Sequence, residues 1–260
     1  MPVLPGALRR VRRRPGLLGA LLALLALAWL ALTVSRGLEK PADWHRVLLL
    51  TAHPDDEVMF FAPVVHALSS RTEVFGLCLS EGNADGLGAV RREELKQAYS
   101  VLGVDEKRVW STDDPHLQDG MKVQWDPLYI ANIVEQHIQR IGGKLDAIIT
   151  FDARGVSGHA NHVALHAAAP HLSAPVYALR TLPLALKYLG LPSALLRHLS
   201  STLAQDGARR FLSSPLEYVR TLLAMRKHAS QLVWFRYLYV LASAHMWSAV
   251  LDLVARPMPQ

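Results

Sequence analysis

The sequence contains a single cysteine, Cys78, so no disulfide can form within the chain. This absence excludes the small secreted domains that disulfides hold together, and it gives no sign of an oxidising compartment. Cys78 lies in an apolar segment, where we expect a buried structural thiol rather than a nucleophile. The sequence also lacks internal repeats, and its low-complexity sequence is confined to the arginine-rich and leucine-alanine amino end.

Charged residues are absent between Arg14 and Arg36, where leucine and alanine dominate. As a helix rising about 1.5 Å per residue, residues 16–34 come close to the roughly 30 Å hydrocarbon core of a bilayer. We therefore predict a transmembrane anchor over 16–34, a basic tail over 1–15 and a linker over 35–45. A cleaved signal peptide is the alternative, but the apolar run is longer than the usual stretch of roughly 7–15 residues and no clear cleavage site follows.

The net charge of +6 comes entirely from residues 1–46, which hold eight basic and two acidic side chains, whereas the other 214 residues hold twenty of each. The high isoelectric point is therefore no evidence for a nucleic-acid partner. Residues 47–152 hold nine basic and seventeen acidic side chains, a balance that a cation site would favour. Residues 153–260 hold eleven basic and three acidic side chains.

Apolar segments alternate with helical patterns between residues 47 and 180. The predicted strands are 47–52, 73–79, 107–111, 145–151 and 175–180, and the predicted helices are about 56–70, 88–102, 126–141 and 160–171. Repeated strand-helix units predict an α/β fold over residues 46–260, with a Rossmann-like, mainly parallel sheet flanked by helices. We expect Pro63 to kink the first helix. From about residue 182 the pattern changes and predicts a helical carboxyl-terminal region.

The run His53-Pro54-Asp55-Asp56-Glu57 directly follows the first predicted strand. Open α/β sheets bind ligands at the carboxyl ends of their strands, so an imidazole and three carboxylates stand where a site is expected. His53 and Asp56 offer a nitrogen and an oxygen to a divalent metal, and Asp55 stays free as a base. The alternative is that Asp55 or Asp56 caps the next helix and Glu57 complements its dipole.

A second polar segment, Gly155 to His162, follows the predicted strand 145–151. His159 and His162 are three residues apart, so they lie on one face if a helix begins there. They can then converge on one ion or one substrate. Because both polar segments follow strand ends at the same edge of the predicted sheet, the pair indicates a metal-dependent hydrolase.

Taken together, the runs His53-Pro54-Asp55-Asp56-Glu57 and Gly158-His159-Ala160-Asn161-His162 resemble the motifs of the metal-dependent de-N-acetylases of the PIG-L/LmbE-like family. Further resemblance to its eukaryotic members lies at residues 57–63, 123–126, 150–152, 155–159 and 230–241, and the whole covers roughly residues 45 to 245. It implies an LmbE-like fold and hydrolysis of the N-acetyl group of N-acetylglucosaminyl-phosphatidylinositol (GlcNAc-PI) in assembly of the glycosylphosphatidylinositol (GPI) anchor. It also implies an endoplasmic reticulum membrane location.

The resemblance further implies a role for each motif residue. The metal ligands would be His53, Asp56 and His162, a set of two nitrogens and one oxygen that zinc accepts. Asp55 would be the general base. His159 would stabilise the oxyanion or protonate the leaving amine.

Family comparison also aligns Arg91 with an arginine on the substrate side of the site, where it would meet a sugar hydroxyl or a phosphate. The alternative is a solvated arginine that pairs with Glu94 on the helix surface. Three nearby residues keep open roles. Asp152 would support a metal-bound histidine or form a turn, Asn161 stands where bacterial relatives often carry aspartate, and His166 occupies a position that the family does not use.

Two other functions stay open at this point. One is a de-N-acetylase of another GlcNAc conjugate, for which a soluble chain would be expected. The other is a catalytically silent module that binds a sugar lipid, which the loss of Asp55 or of a metal ligand would have favoured.

The sequence and the family disagree about membrane orientation. Five arginines precede the apolar run, whereas Arg36, Lys40 and Arg46 follow it, and this bias predicts a cytoplasmic amino terminus with a lumenal domain. The family places catalysis on the cytoplasmic face of the endoplasmic reticulum. We follow the family here, helped by the absence of disulfides.

Aromatic and basic side chains cluster near the carboxyl end of the chain, at Trp234, Phe235, Arg236, Tyr237, Tyr239 and Trp247. This composition is favoured at a bilayer interface, and together with the basic excess it predicts that the carboxyl-terminal third docks on the membrane. The alternative is that these aromatic side chains fill the core under the edge of the sheet.

Overall fold

The computed structural model describes residues 15–36, 44–202 and 207–257. Its strands are β1 (Arg46–Thr51), β2 (Glu73–Cys78), β3 (Val109–Ser111), β4 (Ala147–Phe151), β5 (Val176–Leu179), β6 (Arg209–Leu212) and β7 (Ser248–Ala255). Its α-helices are α1 (Pro15–Arg36), α2 (Asp56–Met59), α3 (Ala62–Leu68), α4 (Gly88–Leu102), α5 (Pro127–Ile141), α6 (Gly155–Gly158), α7 (Ala160–Ala168), α8 (Leu184–Lys187), α9 (Gly190–Thr202), α10 (Pro215–Met225) and α11 (Trp234–Ala242).

The strands form one sheet in the order β3-β2-β1-β4-β5-β7-β6. Strands β1 to β5 pair in parallel, whereas β7 pairs antiparallel with both β5 and β6. All five predicted strands are present and parallel, but β6 and β7 make the sheet mixed. The region from about residue 182 is therefore not helical throughout, because it adds two strands to the edge of the sheet. Arg180 and Asp252 form an ion pair at 2.5 Å between β5 and β7.

The central strands are continuous apolar runs because helices cover both faces of the sheet. In β1, Val47 to Leu50 are at most 1% exposed. Parallel crossovers are right-handed as a rule, which places α3 and α4 on one face and α5 and α7 on the other. The contacts of α3 with α4 and of α5 with α7 agree with this arrangement. Cys78 ends β2 as a buried free thiol, as predicted, and burial raises its pKa well above the usual value.

The first predicted helix is divided rather than kinked. Helix α2 ends at Met59, and α3 begins at Ala62 with Pro63 in its first turn. Proline fits the first turn because its missing N–H group has no partner in the helix there. Helix α2 therefore stays short, and it positions the acidic residues that follow β1.

The sheet changes direction at β1, which has β2 on one side and β4 on the other. The chain moves outward from β1 through β2 to β3, then returns to β4 and moves outward to β5. A crevice forms at the carboxyl ends of the two strands at such a switch point. Both predicted motifs begin there, because residues 53–57 follow β1 and residues 155–162 follow β4.

Helix α1 packs against the domain through Leu25, Trp29 and Leu32, which contact a small apolar cluster that includes Leu195 and Leu212. No helix within the described ranges has both the length and the apolar character of a membrane span. The anchor over residues 16–34 stays a prediction. The predicted tail over 1–15 and linker over 35–45 lie largely outside the described residues.

Candidate active site

His53, Asp56 and His162 meet in the crevice between β1 and β4. His162 Nε2 lies 3.2 Å from His53 Nδ1 and 3.3 Å from Asp56 Oδ1, and His53 Nδ1 lies 3.7 Å from Asp56 Oδ2. All three side chains are buried. The structure thus brings together the three residues that the sequence analysis assigns as metal ligands.

Backbone amides hold the Asp56 carboxylate in place. Asp56 Oδ2 accepts hydrogen bonds from the amides of Ala52 at 3.0 Å and His53 at 2.9 Å, while Oδ1 stays turned towards His162. Burial acts to raise the pKa of Asp56, but the adjacent His162 and His53 outweigh it and hold that pKa below the usual range. Asp56 is therefore an ionised carboxylate, as a metal ligand must be.

The loop before α7 fixes the orientation of His162. Its Nδ1 donates a hydrogen bond to the Gly155 carbonyl at 3.0 Å. Nε2 is therefore unprotonated, and its lone pair faces the crevice, where it can bind a metal. The ring stacks on Phe151 at 3.9 Å. Gly155 has a φ of +55°, and a Cβ there would lie 2.8 Å from the His162 Cβ. Glycine is therefore required for the close approach of this loop to His162.

Two acceptors fix the orientation of His53. Its Nε2 lies 3.0 Å from Asn161 Oδ1 and 3.1 Å from Asp119 Oδ1, so Nε2 carries the proton and Nδ1 is free towards His162. Asn161 is itself held, since its Nδ2 donates to the Val123 carbonyl at 2.8 Å. The open role of Asn161 is thus to position His53.

The donor set fits a zinc ion. Ligand atoms about 2.0–2.2 Å from a tetrahedral Zn²⁺ lie roughly 3.3–3.6 Å apart. The two histidine nitrogens are 3.2 Å apart and His162 Nε2 is 3.3 Å from Asp56 Oδ1, which is close to that spacing. A second set shares two of these residues, because His53, His159 and His162 have ligand atoms within 4.8 Å of one another. Only the first set includes the negative charge of a carboxylate.

Asp55 stands next to this centre in a strained conformation. Its φ is +117°, which is rare for a residue with a side chain, and its amide donates to Glu57 Oε2 at 3.1 Å. Glu57 is held in turn by His228, whose Nε2 lies 2.5 Å from Glu57 Oε1. Burial raises the pKa of Asp55 above its usual range, although Arg236 at 2.9 Å acts in the opposite direction. A raised pKa makes a carboxylate a stronger base.

His159 caps the amino end of α7 and lies at the edge of the centre. Its Nδ1 accepts from the Asn161 amide at 3.3 Å, so the proton of the neutral ring is on Nε2, which lies 3.9 Å from Asp119 Oδ1. Burial, with the nearby His53 and His162, lowers the pKa of His159 to about 4. The neutral ring can therefore donate a hydrogen bond into the crevice.

Arg91 is buried beneath the crevice rather than solvated on α4. Its guanidinium donates to the carbonyls of Pro54 and Gly82, both at 2.7 Å, and thereby braces the loop after β1. The alternative pairing with Glu94 is wrong, since Glu94 accepts instead from the amide and hydroxyl of Ser230. Arg91 also lines the cavity above the centre, where a substrate would meet it.

Asp152 and His166 lie outside the centre. Asp152 accepts from the amides of Arg154, Gly155 and Thr181, so it shapes the loop rather than supporting a histidine ring directly. His166 is not among the residues that line the cavity.

A cavity of about 690 Å³ opens above these residues. Its polar floor holds the histidines and carboxylates of the centre, and its outer wall holds Tyr188, Phe235 and Leu238. A volume of this size accommodates a ligand larger than a single sugar, since ligand pockets usually span about 300–1,000 Å³.

Asp119 and Arg236 are site residues that the sequence analysis did not identify as such. Asp119 contacts His53, and Arg236 reaches from α11 to Asp55 and to Met59. Asp119-Gly120 is a typical turn dipeptide, and Arg236 stands among aromatic residues. Neither local pattern signals a catalytic site.

The match to known families is consistent with this geometry. Residues 48–173 match the PIG-L family model, which is described as GlcNAc-PI de-N-acetylase. The chain is 40% identical over 231 residues to the N-acetylglucosaminyl-phosphatidylinositol de-N-acetylase of Bos taurus, with 84% of this chain and 87% of the relative covered. It is 38% identical over 225 residues to a probable enzyme of the same name from Schizosaccharomyces pombe, with 84% and 90% covered.

Solved structures with low sequence identity share the fold. The N,N'-diacetylchitobiose deacetylase of Pyrococcus horikoshii superposes with a TM-score of 0.52 at 16% identity, covering 82% of this chain and 84% of that chain. A deacetylase of teicoplanin biosynthesis superposes with a TM-score of 0.55 at 14% identity, covering 80% and 98%.

Proposed function

The chain belongs to the PIG-L family of GlcNAc-PI de-N-acetylases, and on that premise we propose that it hydrolyses the N-acetyl group of GlcNAc-PI. The products are glucosaminyl-phosphatidylinositol and acetate, and the step belongs to GPI-anchor biosynthesis. The observation that supports this proposal best is the convergence of His53, Asp56 and His162 beside Asp55 at the switch point of the sheet.

The buried centre would hold one divalent ion, which we propose is zinc, through His53 Nδ1, Asp56 and His162 Nε2. Such an ion supplies Lewis-acid activation of water and of the amide carbonyl. The protein groups contribute the proton transfers and the hydrogen bonds. Asn161, Asp119 and the Gly155 carbonyl keep the two rings in the tautomers that leave these nitrogens free.

Asp55 accepts a proton from the attacking water as the water oxygen bonds to the amide carbon. His159 donates a hydrogen bond from its Nε2–H group to the oxyanion of the tetrahedral intermediate. The proton held by Asp55 then passes to the amide nitrogen as the carbon–nitrogen bond breaks. Acetic acid, which ionises to acetate, and a free amine leave. Arg91 meets a hydroxyl or phosphate of the substrate from the cavity wall.

Deacetylation by the purified full chain tests this function. We expect the chain in detergent to release acetate from synthetic GlcNAc-PI. This activity should stop after a chelator removes the metal and should recover when zinc is added. Mass spectrometry of the free amine measures the product. Full activity after chelation would contradict the metal centre, and preference for a soluble GlcNAc conjugate would support a different substrate. Glycolipid binding without turnover would support a silent module.

We propose that the chain is anchored in the endoplasmic reticulum membrane by residues 16–34, with the catalytic domain on the cytoplasmic side. The absence of disulfides agrees with the cytoplasmic side, whereas the arginines before the anchor favour the opposite orientation. Protease added to sealed microsomes should degrade the domain. Protection until detergent opens the vesicles would overturn this orientation.

A further inference from the structure

Helix α11 exposes an unusual number of large apolar side chains. Five of its nine residues are between 52% and 75% exposed, namely Trp234, Phe235, Tyr237, Leu238 and Leu241. Single exposed apolar residues are common on soluble proteins, but a contiguous group marks a surface that contacts a partner or a membrane. The aromatic residues that the sequence predicts at a membrane surface therefore do not all lie there. Tyr239 is buried, and Trp247 is partly buried against the core.

This group forms part of the wall of the candidate active site. Phe235 and Leu238 line the cavity, and so does Tyr188, whose ring packs edge-on against Tyr239 at 6.4 Å. Leu184 and Leu189, on either side of Tyr188, are 72% and 56% exposed. On this side the cavity wall is therefore apolar and exposed, whereas the histidines and carboxylates of the centre form its polar part.

The apolar surface continues from α11 to α9 and α1. The Gly190 backbone, which begins α9, packs so closely on α11 that a Cβ there would lie 3.3 Å from the Leu241 carbonyl oxygen. Helix α9 then contacts Trp29 of α1 through its buried apolar side chains. Helix α9 exposes Leu196, and α1 exposes Leu21, Leu22, Leu24, Leu27 and Leu30. Helix α9 thus contacts both α11 and α1, and all three helices present apolar side chains.

The charges next to this surface are positive. Residues 184–202 and 234–242 contain Lys187, Arg197 and Arg236 but no acidic residue. Lys187 is buried at the cavity wall, and its Nζ donates to the Val156 carbonyl at 3.2 Å. No carboxylate in the described ranges forms an ion pair with it. A cation in the cavity wall beside Tyr188 suits the phosphodiester of a glycolipid, which joins the sugar headgroup to the acyl chains.

We propose that an apolar rim, formed by Leu184, Tyr188, Leu189, Leu196, Trp234, Phe235, Tyr237, Leu238 and Leu241, docks on the bilayer that contains the glycolipid. The sugar then enters the cavity while the acyl chains stay in the bilayer. Tryptophan and tyrosine are enriched at this depth of a membrane, and the acyl chains of the proposed substrate require a bilayer beside the cavity. The inference rests on the proposed function, because it requires a lipid substrate.

Quenching of Trp234 fluorescence tests the contact directly. The full chain and its Trp234→Phe variant are added to phosphatidylcholine vesicles with brominated acyl chains, and the difference between their emissions reports on Trp234. We expect the Trp234 emission obtained in this way to be strongly quenched, since bromine on the acyl chains quenches only residues that lie in the bilayer. An unquenched Trp234 would overturn the docking proposal and would favour a protein partner for the rim.

Activity on two forms of the substrate tests whether the rim is needed for turnover of a glycolipid in a bilayer. The double variant Trp234→Ser with Leu241→Ser should lose about tenfold or more of its turnover of vesicle-embedded GlcNAc-PI, because it removes two large apolar side chains from the interface. Turnover of a water-soluble, short-chain GlcNAc-PI should stay within about twofold, since neither residue lines the cavity.

The matched control replaces two exposed apolar residues on helices α4 and α5. Val90→Ser with Leu128→Ser, at sites 50% and 56% exposed, should leave both activities unchanged. Equal losses on both substrates in the rim variant, or a vesicle-specific loss in the control, would overturn the proposal. A wild-type chain that deacetylates neither substrate would contradict the proposed function, whereas Trp234 quenching reports on the rim independently of turnover.

Discussion

Replacing Asp55 by asparagine is expected to lower the turnover of GlcNAc-PI by roughly 10²- to 10⁴-fold, the usual contribution of a positioned general base. The amide cannot accept the proton of the attacking water, but it has nearly the same shape as the carboxylate. Asparagine also tolerates the positive φ that residue 55 adopts. Metal content should stay unchanged, because Asp55 is not one of the proposed ligands.

Asp85→Asn is the matched control for this substitution. Asp85 also lines the cavity but is exposed and takes no part in the buried centre. Its variant should retain turnover within a few-fold. Steady-state kinetics and metal analysis of both variants distinguish the roles. A metal-free Asp55→Asn protein would show that Asp55 holds the ion, and equal losses in both variants would remove the case for a specific base.

Local patterns were sufficient to predict the part of the fold that builds the site. The five parallel strands are short apolar runs buried on both faces, and each is separated from the next by a helical pattern. Because parallel strands end at the same edge of a sheet, the polar residues after β1 and β4 had to meet. His53, Asp56 and His162 follow directly from that rule, and only their exact separations required the structure.

The carboxyl-terminal strands could not be predicted in this way. Strand β6 is four residues long and begins with Arg209 and Arg210, so its alternation is too short to recognise. Strand β7 is largely apolar and follows an apolar helical region, where strand and helix patterns cannot be separated by periodicity. Their antiparallel addition beyond β5 is decided by long-range pairing, including the contact of Arg180 with Asp252.

The same limit applies to the two site residues that the sequence did not reveal. Asp119 comes from a turn between β3 and α5, and Arg236 comes from a helix that follows the whole sheet. Each acts on a motif residue that is distant in sequence, Asp119 on His53 and Arg236 on Asp55. A short motif therefore locates a reaction centre, but not the residues that orient it from other parts of the chain.

His162→Ala is expected to weaken metal binding by at least about 100-fold, since loss of a residue that merely supports a ligand already costs about 10- to 100-fold. Activity should fall with the metal content. His162 Nε2 lies within 3.3 Å of both other proposed ligand atoms, and the Gly155 carbonyl fixes its tautomer. Metal analysis after dialysis against buffered zinc measures the effect.

Two further histidine variants on the same loop and helix decide between the two possible ligand sets. If His53, Asp56 and His162 hold the ion, His159→Ala should retain the metal and lose turnover, because it removes only a hydrogen-bond donor. If the three histidines hold it, His159→Ala should lose the metal as His162→Ala does. His166→Ala, one helical turn beyond His162, should retain both metal and turnover. A His162→Ala protein with full metal content would refute both sets.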